Sequence, residues 1–305
     1  MPRSPVTVRV PATSANLGPG FDALGVALDW TAHITIEERE GAGAARPEQG
    51  DGEARAIERM AVEAAAALFA EAGEEAPALA AAYDGDLPVG RGLGMSAAAR
   101  AAGLVAANAM LEGRYAGEEL VPLAVRLEGH GDNIIPALFG GLQVVVHGDE
   151  AAGGATHVRI DPPEDLWLAL LVPDFGMPTE ESRRRLPRSL TRQEAVHNIG
   201  RAALVVAALT QRRYDVLGVA VEDVLHQPAR SELFPAMSRI FQGAIEAGAY
   251  GAYLSGGGST IAAFVAPPVA EAVVAAMRSV AAEHDIESTG RVASMSAAGA
   301  EVVDA

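Results

Sequence analysis

The order of apolar and polar positions along the chain predicts a mixture of strands and helices. Residues 6–10 alternate between apolar and polar side chains, which is typical of a half-buried strand. A turn-rich stretch over 11–20 follows, and residues 21–36 return to a strand-like pattern. Residues 54–72 carry apolar side chains at helical spacing, so a long helix is expected after the Gly-, Glu- and Pro-rich loop 41–52.

The rest of the chain continues with the same mixture. Thr191 followed by Glu194 is a capping-box pattern, which marks the start of a helix that runs to about Gln211. Because strands and helices do not alternate strictly, as they would in a Rossmann fold, we predict the α+β class. Further helices are predicted over residues 96–111, 120–128, 215–225, 235–247 and 269–284, and further strands over 141–147, 166–172, 250–254, 260–265 and 291–295.

Length and composition limit the possible domain organisation. The chain has 305 residues, which is enough for one large domain or two compact halves that share a cleft. Acidic and glycine residues are concentrated over 148–154 and predict a turn or linker there. We therefore place the predicted domains at residues 1–155 and 156–305.

The charge balance disfavours some partners. The formal net charge is −17 at pH 7, and a strongly acidic protein repels nucleic-acid phosphates and anionic membrane surfaces. The sequence has no run of about 18 apolar residues and no signal-peptide pattern at its start, so no transmembrane helix is expected. These features predict a cytoplasmic protein without a nucleic-acid or membrane partner.

Two residue types are missing, and their absence excludes several enzyme classes. The sequence contains no cysteine, which excludes disulfides, thiolate catalysis and cysteine-based metal sites. It also contains no lysine, although Walker-type phosphate loops, protein kinases and pyridoxal enzymes all need one. An anionic substrate therefore has to be held by arginine or a metal ion.

A glycine-rich segment over residues 88–96 is the first candidate site. Its three glycines allow positive φ angles and expose consecutive N–H groups at the start of a predicted helix. Such N–H groups and the helix dipole together favour a polyphosphate. Ser96 is placed to offer a hydroxyl to a phosphate-bound Mg²⁺, and Arg91 offers the positive charge that lysine supplies elsewhere. Taken alone, such a loop is more often a turn that lets a helix pack closely on a sheet.

Further motifs connect this segment to a known family. Residues 11–22 read PATSANLGPGFD, residues 128–133 read EGHGDN, and residues 254–260 read LSGGGST. In this order and at this spacing, the motifs resemble those of the GHMP kinase superfamily, and within it the homoserine kinase family. Shorter matches over 179–187 and 226–230 extend the resemblance to nearly the whole chain.

The resemblance implies a fold and a nucleotide. It implies an N-terminal half like ribosomal protein S5 domain 2 and a ferredoxin-like C-terminal half. ATP is expected on the glycine-rich segment, with Mg²⁺ held by Ser96 and Glu128, because magnesium prefers hard oxygen ligands. Members of the family are often dimers, so a homodimer is one expected assembly. The residues implied for ATP are Pro88, Gly90, Arg91, Gly92, Leu93, Gly94, Met95, Ser96 and Ala97.

The resemblance also implies the substrate L-homoserine, whose side-chain hydroxyl is phosphorylated in threonine biosynthesis. Asn16 and Asp22 match residues that hold its amino group and hydroxyl end, and Arg183 and Arg230 match residues that clamp its carboxylate. Phosphoryl transfer depends mainly on alignment and charge neutralisation, so no strong base is assigned. The implied catalytic residues are Asp22, Ser96, Glu128 and Thr179, and the implied substrate-binding residues are Asn16, Asp22, His130, Arg183, Arg230 and Gly257.

Some interpretations stay open. Met95 and Gly257 stand where the family usually has serine, which leaves room for a non-catalytic nucleotide or metabolite sensor of the same fold. A GHMP-type kinase of another small hydroxylated amino acid or carboxylate is the other alternative. His130 is equally well interpreted as a structural histidine, and a zinc site around it is disfavoured because the segment has a single histidine and no cysteine. Arg183 lies in a run of three arginines, which is often a solvated face.

Overall fold

Two antiparallel sheets with helices packed against them make up the protein in this computed structural model. The structure describes residues 5–39, 52–148, 154–177 and 179–304. The loop predicted over 41–52 and the linker predicted over 148–154 lie almost entirely outside these residues. The strands of the described part are β1 (Val6–Ala15), β2 (Leu24–Glu38), β3 (Leu79–Asp84), β4 (Leu142–His147), β5 (Ala155–Ile160), β6 (Trp167–Pro173), β7 (Gly251–Leu254), β8 (Ile261–Val265), β9 (Ser288–Ser294) and β10 (Glu301–Asp304).

The helices between these strands vary from one turn to about five turns in length. No helix in the part of the chain that the structure describes has both the length and the apolar character needed to cross a membrane. The helices are α1 (Gly52–Glu71), α2 (Met95–Met110), α3 (Val121–Glu128), α4 (Gly131–Phe139), α5 (Thr179–Arg184), α6 (Arg192–Thr210), α7 (Leu217–Ala220), α8 (Gln227–Ser231), α9 (Met237–Glu246) and α10 (Ala270–Glu283).

Strand pairing divides the described chain into two sheets. The first has the order β10-β1-β2-β4-β5, with β3 also paired to β2, and the second has the order β7-β8-β6-β9. All of these pairings are antiparallel. The second sheet, with helices between β6 and β7 and α10 between β8 and β9, has the β-α-β-β-α-β connectivity of a ferredoxin-like fold. The predicted α+β class and ferredoxin-like second half are confirmed.

The pairing also bears on where the two halves divide. The predicted division between residues 155 and 156 falls at the start of β5. That strand pairs with β4 in the first sheet, and β10, near the end of the chain, pairs with β1 in the same sheet. We therefore propose a division after β5, with β10 returning to the first half.

The first strand is longer than the sequence predicted. Residues 11–15, expected in a turn, continue β1 and pair with β2. Their turn-forming side chains are held by distant partners instead of by neighbouring backbone. Thr13 Oγ1 donates to Asn133 Oδ1 at 2.8 Å, and Ser14 Oγ lies 2.9 Å from the Tyr253 hydroxyl.

The helix predicted over residues 215–225 is interrupted, and that prediction is wrong for its second half. The Asp223 carboxylate accepts hydrogen bonds from the backbone N–H groups of Leu225, His226 and Gln227 at 2.7–3.0 Å. A side chain that binds the backbone locally competes with continued helix formation. The chain therefore ends α7 and begins α8 instead of forming one helix.

The N-terminus of α2 lies where the two halves meet. The N–H of Thr260 donates to the Arg91 carbonyl at 2.9 Å, which ties the loop before α2 to the turn between β7 and β8. The N–H of Gly256 donates to the Ala15 carbonyl at 3.0 Å, which brings the end of β1 to the same turn. Three separate motifs of the sequence are thus joined at one place.

Candidate active site

A cavity of about 390 Å³ at this junction collects most of the predicted site residues. Its wall includes the loop before α2, the turn after β1, the start of α4 and the turn between β7 and β8. The predicted residues that line it are Asn16, Asp22, Gly90, Gly92, Leu93, Gly94, Met95, Ser96, Glu128, His130, Arg183, Arg230 and Gly257.

Three predicted residues are placed differently, and the side chain of a fourth is not described. Pro88 and Arg91 line a separate cleft, and Ala97 is fully buried without lining the cavity. Thr179 is the first residue of α5, and its side chain lies outside the part that the structure describes. Its predicted role beside the phosphoryl group therefore stays a prediction.

The loop before α2 has the backbone geometry expected of an anion site. Gly90, Gly92 and Gly94 have φ angles of 68°, 78° and 66°, in the region that favours glycine. Within the described residues no side chain caps the N-terminus of α2, so its first N–H groups are available to a ligand. The glycines also permit close packing, because a Cβ at position 94 would lie 1.8 Å from Thr13 Oγ1.

Ser96 and Glu128 lie side by side in the cavity wall. Ser96 Oγ donates to Glu128 Oε1 at 2.6 Å, and the Arg100 guanidinium forms an ion pair with Oε2 of the same carboxylate. The Glu128 side chain is only 5% exposed. A hydroxyl and a carboxylate in contact are hard oxygen donors, so this pair fits the Mg²⁺ that the resemblance implies.

Arg91 is turned away from the cavity, contrary to the expected role beside the phosphates. Its guanidinium donates to the carbonyls of Val89, Pro173 and Asp174 at 3.1–3.2 Å. These contacts hold the loop against the end of β6 rather than offering charge to a ligand. The arginine that does line the cavity beside the loop is Arg100, which the sequence analysis did not single out.

Asp22 and Arg183 form a bidentate ion pair at the other end of the cavity. The two Nη atoms of Arg183 donate to the two carboxylate oxygens of Asp22 at 2.7 and 2.9 Å. The hydrogen bond to Asp22 raises the pKa of Arg183 above its usual value, although burial opposes this. Asn16 supports the pair, because its Oδ1 accepts the Asp22 N–H at 3.1 Å and its Nδ2 donates to the Gly256 carbonyl at 2.8 Å.

Arg230 is almost completely buried, with 2% of its surface exposed. Its Nε donates to Ser182 Oγ at 2.6 Å, and its Nη1 donates to the Gly256 carbonyl at 2.9 Å and to His226 Nδ1 at 2.8 Å. Burial lowers the pKa of Arg230 to about 10, which still leaves it charged at neutral pH. The Phe21 ring lies 5.5 Å from its guanidinium carbon.

His226 connects Arg230 to the first motif, a role that sequence reasoning missed. Its Nδ1 accepts from Arg230, and its Nε2 donates to the Gly18 carbonyl at 2.6 Å. This arrangement requires a neutral ring, and burial lowers the pKa of His226 to about 4. The only signal in the sequence was its position in the matched segment 226–230.

His130 pairs with Asp132 beside Glu128. Its Nδ1 donates to Asp132 Oδ1 at 2.7 Å. Burial acts to lower the pKa of His130, but the hydrogen bond and charge of Asp132 outweigh it and raise the pKa above its usual value. Among the residues that the structure describes, no group of three or more His, Asp or Glu side chains is arranged to hold a metal.

The amino-acid sequence matches family models and known proteins over most of its length. The family models described as GHMP kinases N terminal domain and GHMP kinases C terminal match residues 59–141 and 205–283. A homoserine kinase of Desulfitobacterium hafniense is 39% identical over 302 residues, which cover 98% of this chain and 100% of that protein. The chain belongs to the GHMP kinase family. A homoserine kinase of Deinococcus radiodurans is 43% identical over 86% of this chain and 85% of that protein.

Solved structures place the fold in the same family. The crystal structure of homoserine kinase from Cytophaga hutchinsonii superposes with a TM-score of 0.84 at 26% identity, covering 98% of this chain and 97% of that one. A putative homoserine kinase from Listeria monocytogenes gives a TM-score of 0.76 at 29% identity, covering 99% and 100%. The predicted GHMP kinase fold is confirmed, and as a GHMP kinase the protein is an ATP-dependent kinase.

Proposed function

We propose that this GHMP kinase transfers the γ-phosphoryl group of ATP to the side-chain hydroxyl of L-homoserine, giving O-phospho-L-homoserine for threonine biosynthesis. The observation that carries the proposal is the bidentate pair of Asp22 and Arg183 in the cavity that also contains the glycine loop. An amino-acid substrate brings one ammonium and one carboxylate, which match these two charges. Two homoserine kinases at 39% and 43% identity support the same substrate.

In this proposal the two ends of the cavity bind different ligands. The N–H groups at the start of α2 would hold the phosphates, and Mg²⁺ at Ser96 and Glu128 would neutralise their charge. At the other end, Arg183 and Arg230 would bind the substrate carboxylate, and Asp22 would hold the ammonium or the hydroxyl end. Because phosphoryl transfer needs little covalent help from the protein, holding the hydroxyl in line with the phosphate is the main task of this end.

An ADP-release assay tests the substrate. L-Homoserine, L-threonine, L-serine, mevalonate and galactose would be compared, and we expect turnover with homoserine well above the others. Arg230→Leu should raise the KM for homoserine more than the KM for ATP, because it removes a carboxylate contact. Arg213→Gln, which removes an exposed charge paired with Asp215, is the matched control and should change neither value.

Other outcomes would point to the alternatives. Turnover with mevalonate or galactose but not homoserine would indicate a kinase of another alcohol. Nucleotide binding without ADP release for any of the five compounds would favour the sensor, for which Met95 and Gly257 left room. The expected homodimer and the cytoplasmic location stay predictions, and light scattering of the purified protein would test the first.

A further inference from the structure

The positive charges of the cavity are unevenly distributed. In the described part of the chain three arginines line it, and two of them, Arg183 and Arg230, lie at the end that contains Asp22. Arg91, the basic residue of the loop itself, faces a different cleft and is bound to carbonyls. Arg100 is therefore the arginine that this cavity presents beside the loop.

The position of Arg100 follows from the geometry of α2. Arg100 is four residues after Ser96, so both side chains lie on the same face of the helix. Helical side chains lean toward the N-terminus, which brings the Arg100 guanidinium over the first turn. The available N–H groups of α2 and the guanidinium thus face the same part of the cavity. The Arg100 side chain is 24% exposed, so a ligand can reach it.

Arg100 is paired with Glu128, whose carboxylate also accepts from Ser96. Among the described residues that line the cavity, carboxylates and arginines are equal in number, with Asp22, Glu128 and Asp132 opposite Arg100, Arg183 and Arg230. A triphosphate adds several negative charges to this balanced site. A divalent cation bound to Glu128 would replace Arg100 as the partner of that carboxylate. The guanidinium would then be available to the phosphates.

We propose that Arg100 is a phosphate-binding residue of this kinase, held on Glu128 until nucleotide and a divalent cation enter. The inference rests on the proposed placement of the ATP phosphates on the glycine loop. It assigns to Arg100 the role that lysine has in Walker-type loops, in a chain that has no lysine. Guanidinium binds phosphate oxygens through two parallel N–H donors, so lysine would be an incomplete substitute.

Calorimetric binding of ADP, AMP and adenosine to the full chain tests the proposal, once with excess MgCl₂ and once with EDTA. In MgCl₂, Arg100→Gln should weaken ADP about 10- to 100-fold, the range expected for a charge-assisted hydrogen bond. In EDTA the loss should be smaller, because Glu128 still competes for the guanidinium. Adenosine affinity should not change, and Arg100→Lys should restore part of the ADP affinity. Arg126→Gln, which removes an exposed arginine paired with Glu71, is the matched control.

If Arg100 only neutralises Glu128, the result with MgCl₂ is the opposite. Arg100→Gln would then free Glu128 for the cation, and ADP would bind equally well or more tightly, which would overturn the proposal. An equal loss for ADP and adenosine, together with a lower melting temperature, would show a structural role and overturn it as well.

A second variant, Gly90→Asp, tests separately whether the ATP phosphates bind on the glycine loop, independently of the role of Arg100. Position 90 has open space around it and a φ of 68° that Asp tolerates, and the added carboxylate would repel phosphate on the loop. If Gly90→Asp weakens ADP and Arg100→Gln does not, the loop is the phosphate site and the role of Arg100 is wrong. If neither variant weakens ADP, the phosphates bind elsewhere and both proposals fail.

Discussion

The ion pair between Asp22 and Arg183 predicts how the proposed substrate site selects an amino acid. A ligand that has a carboxylate but no ammonium group must take Arg183 away from Asp22. The Asp22 carboxylate is then left without a partner. A zwitterion replaces both partners at once, because its ammonium takes the place of Arg183 at Asp22. Asp22→Asn removes the charge while keeping the shape, and Asn tolerates the φ of 55° at this position.

The size of the effect follows from the exposure of the pair. The side chains are 35% exposed for Arg183 and 27% for Asp22. Exposed pairs contribute about 0–1 kcal/mol, whereas truncating one partner of a buried, hydrogen-bonded pair costs about 2–5 kcal/mol. This pair lies between the two cases, so we expect a change of about 1–3 kcal/mol, or roughly 5- to 150-fold in affinity.

The assay compares L-homoserine with 4-hydroxybutyrate, which lacks only the ammonium group. In Asp22→Asn, homoserine should bind roughly 5- to 150-fold more weakly, whereas 4-hydroxybutyrate should bind as well as before or more tightly, because Arg183 is free. Asp161→Asn, at an 84% exposed carboxylate paired with Arg159, is the control and should change neither. An equal loss for both ligands would refute the reasoning and show that Asp22 acts by shaping the turn.

Three further predictions concern the metal pair, the loop and the buried histidine. Glu128→Gln should lower kcat at saturating substrates by at least about 100-fold, because a neutral amide is a poor ligand for Mg²⁺; unchanged kcat would contradict the metal assignment. Gly94→Ala should lower the free energy of unfolding in urea by about 2 kcal/mol or more, because the added Cβ would lie 1.8 Å from Thr13 Oγ1. Gly113 has a similar φ of 71° but open space around it, so Gly113→Ala should lower the free energy of unfolding by only about 1 kcal/mol. Burial lowers the pKa of His226 from its usual value of 6.5 to about 4 in the folded protein. The free energy of unfolding should therefore fall by up to about 3 kcal/mol as the pH falls from 7 to 4. The difference in unfolding free energy between the wild type and His226→Gln should therefore shrink over that range, and parallel curves would contradict it.

Elements with strong local signals were predictable from the sequence. The capping box at Thr191 is present as expected, because Glu194 N–H donates to Thr191 Oγ1 at 3.2 Å and α6 begins at the next residue. The glycine turn between β7 and β8 is also in place. Such elements are determined by neighbouring residues, which is why a local pattern is enough to find them.

Elements whose stability comes from distant partners were missed. β10 has four residues, all exposed, and exists through its pairing with β1 near the other end of the chain. In α4, nearly every residue is buried and Pro136 lies inside the helix, so no alternation of apolar and polar positions marks it. Neither element has a period that a sequence pattern can show.

The candidate site shows the same division. The motifs placed the glycine loop, Ser96 and Glu128 in one cavity, because their spacing in the sequence matches a family. The choice between Arg91 and Arg100 could not be made in that way. Arg91 lies within the loop and Arg100 shortly after it in the sequence. The carbonyls of Pro173 and Asp174, in the second half of the chain, turn Arg91 away.

The same structure suggests why the two ends of the cavity differ in character. At the proposed substrate end, Arg230 is bound on several sides by Ser182, Gly256 and a neutral His226, which itself donates to Gly18. A guanidinium that is already ordered loses little conformational entropy when a carboxylate binds, so more of the contact energy contributes to affinity. At the proposed phosphate end, Arg100 is partly exposed, and in our proposal it exchanges Glu128 for the phosphates. Selection of the amino acid should therefore depend on the fixed geometry of Arg230. Binding of the nucleotide should depend on the exchange of Glu128 for phosphate as the partner of Arg100.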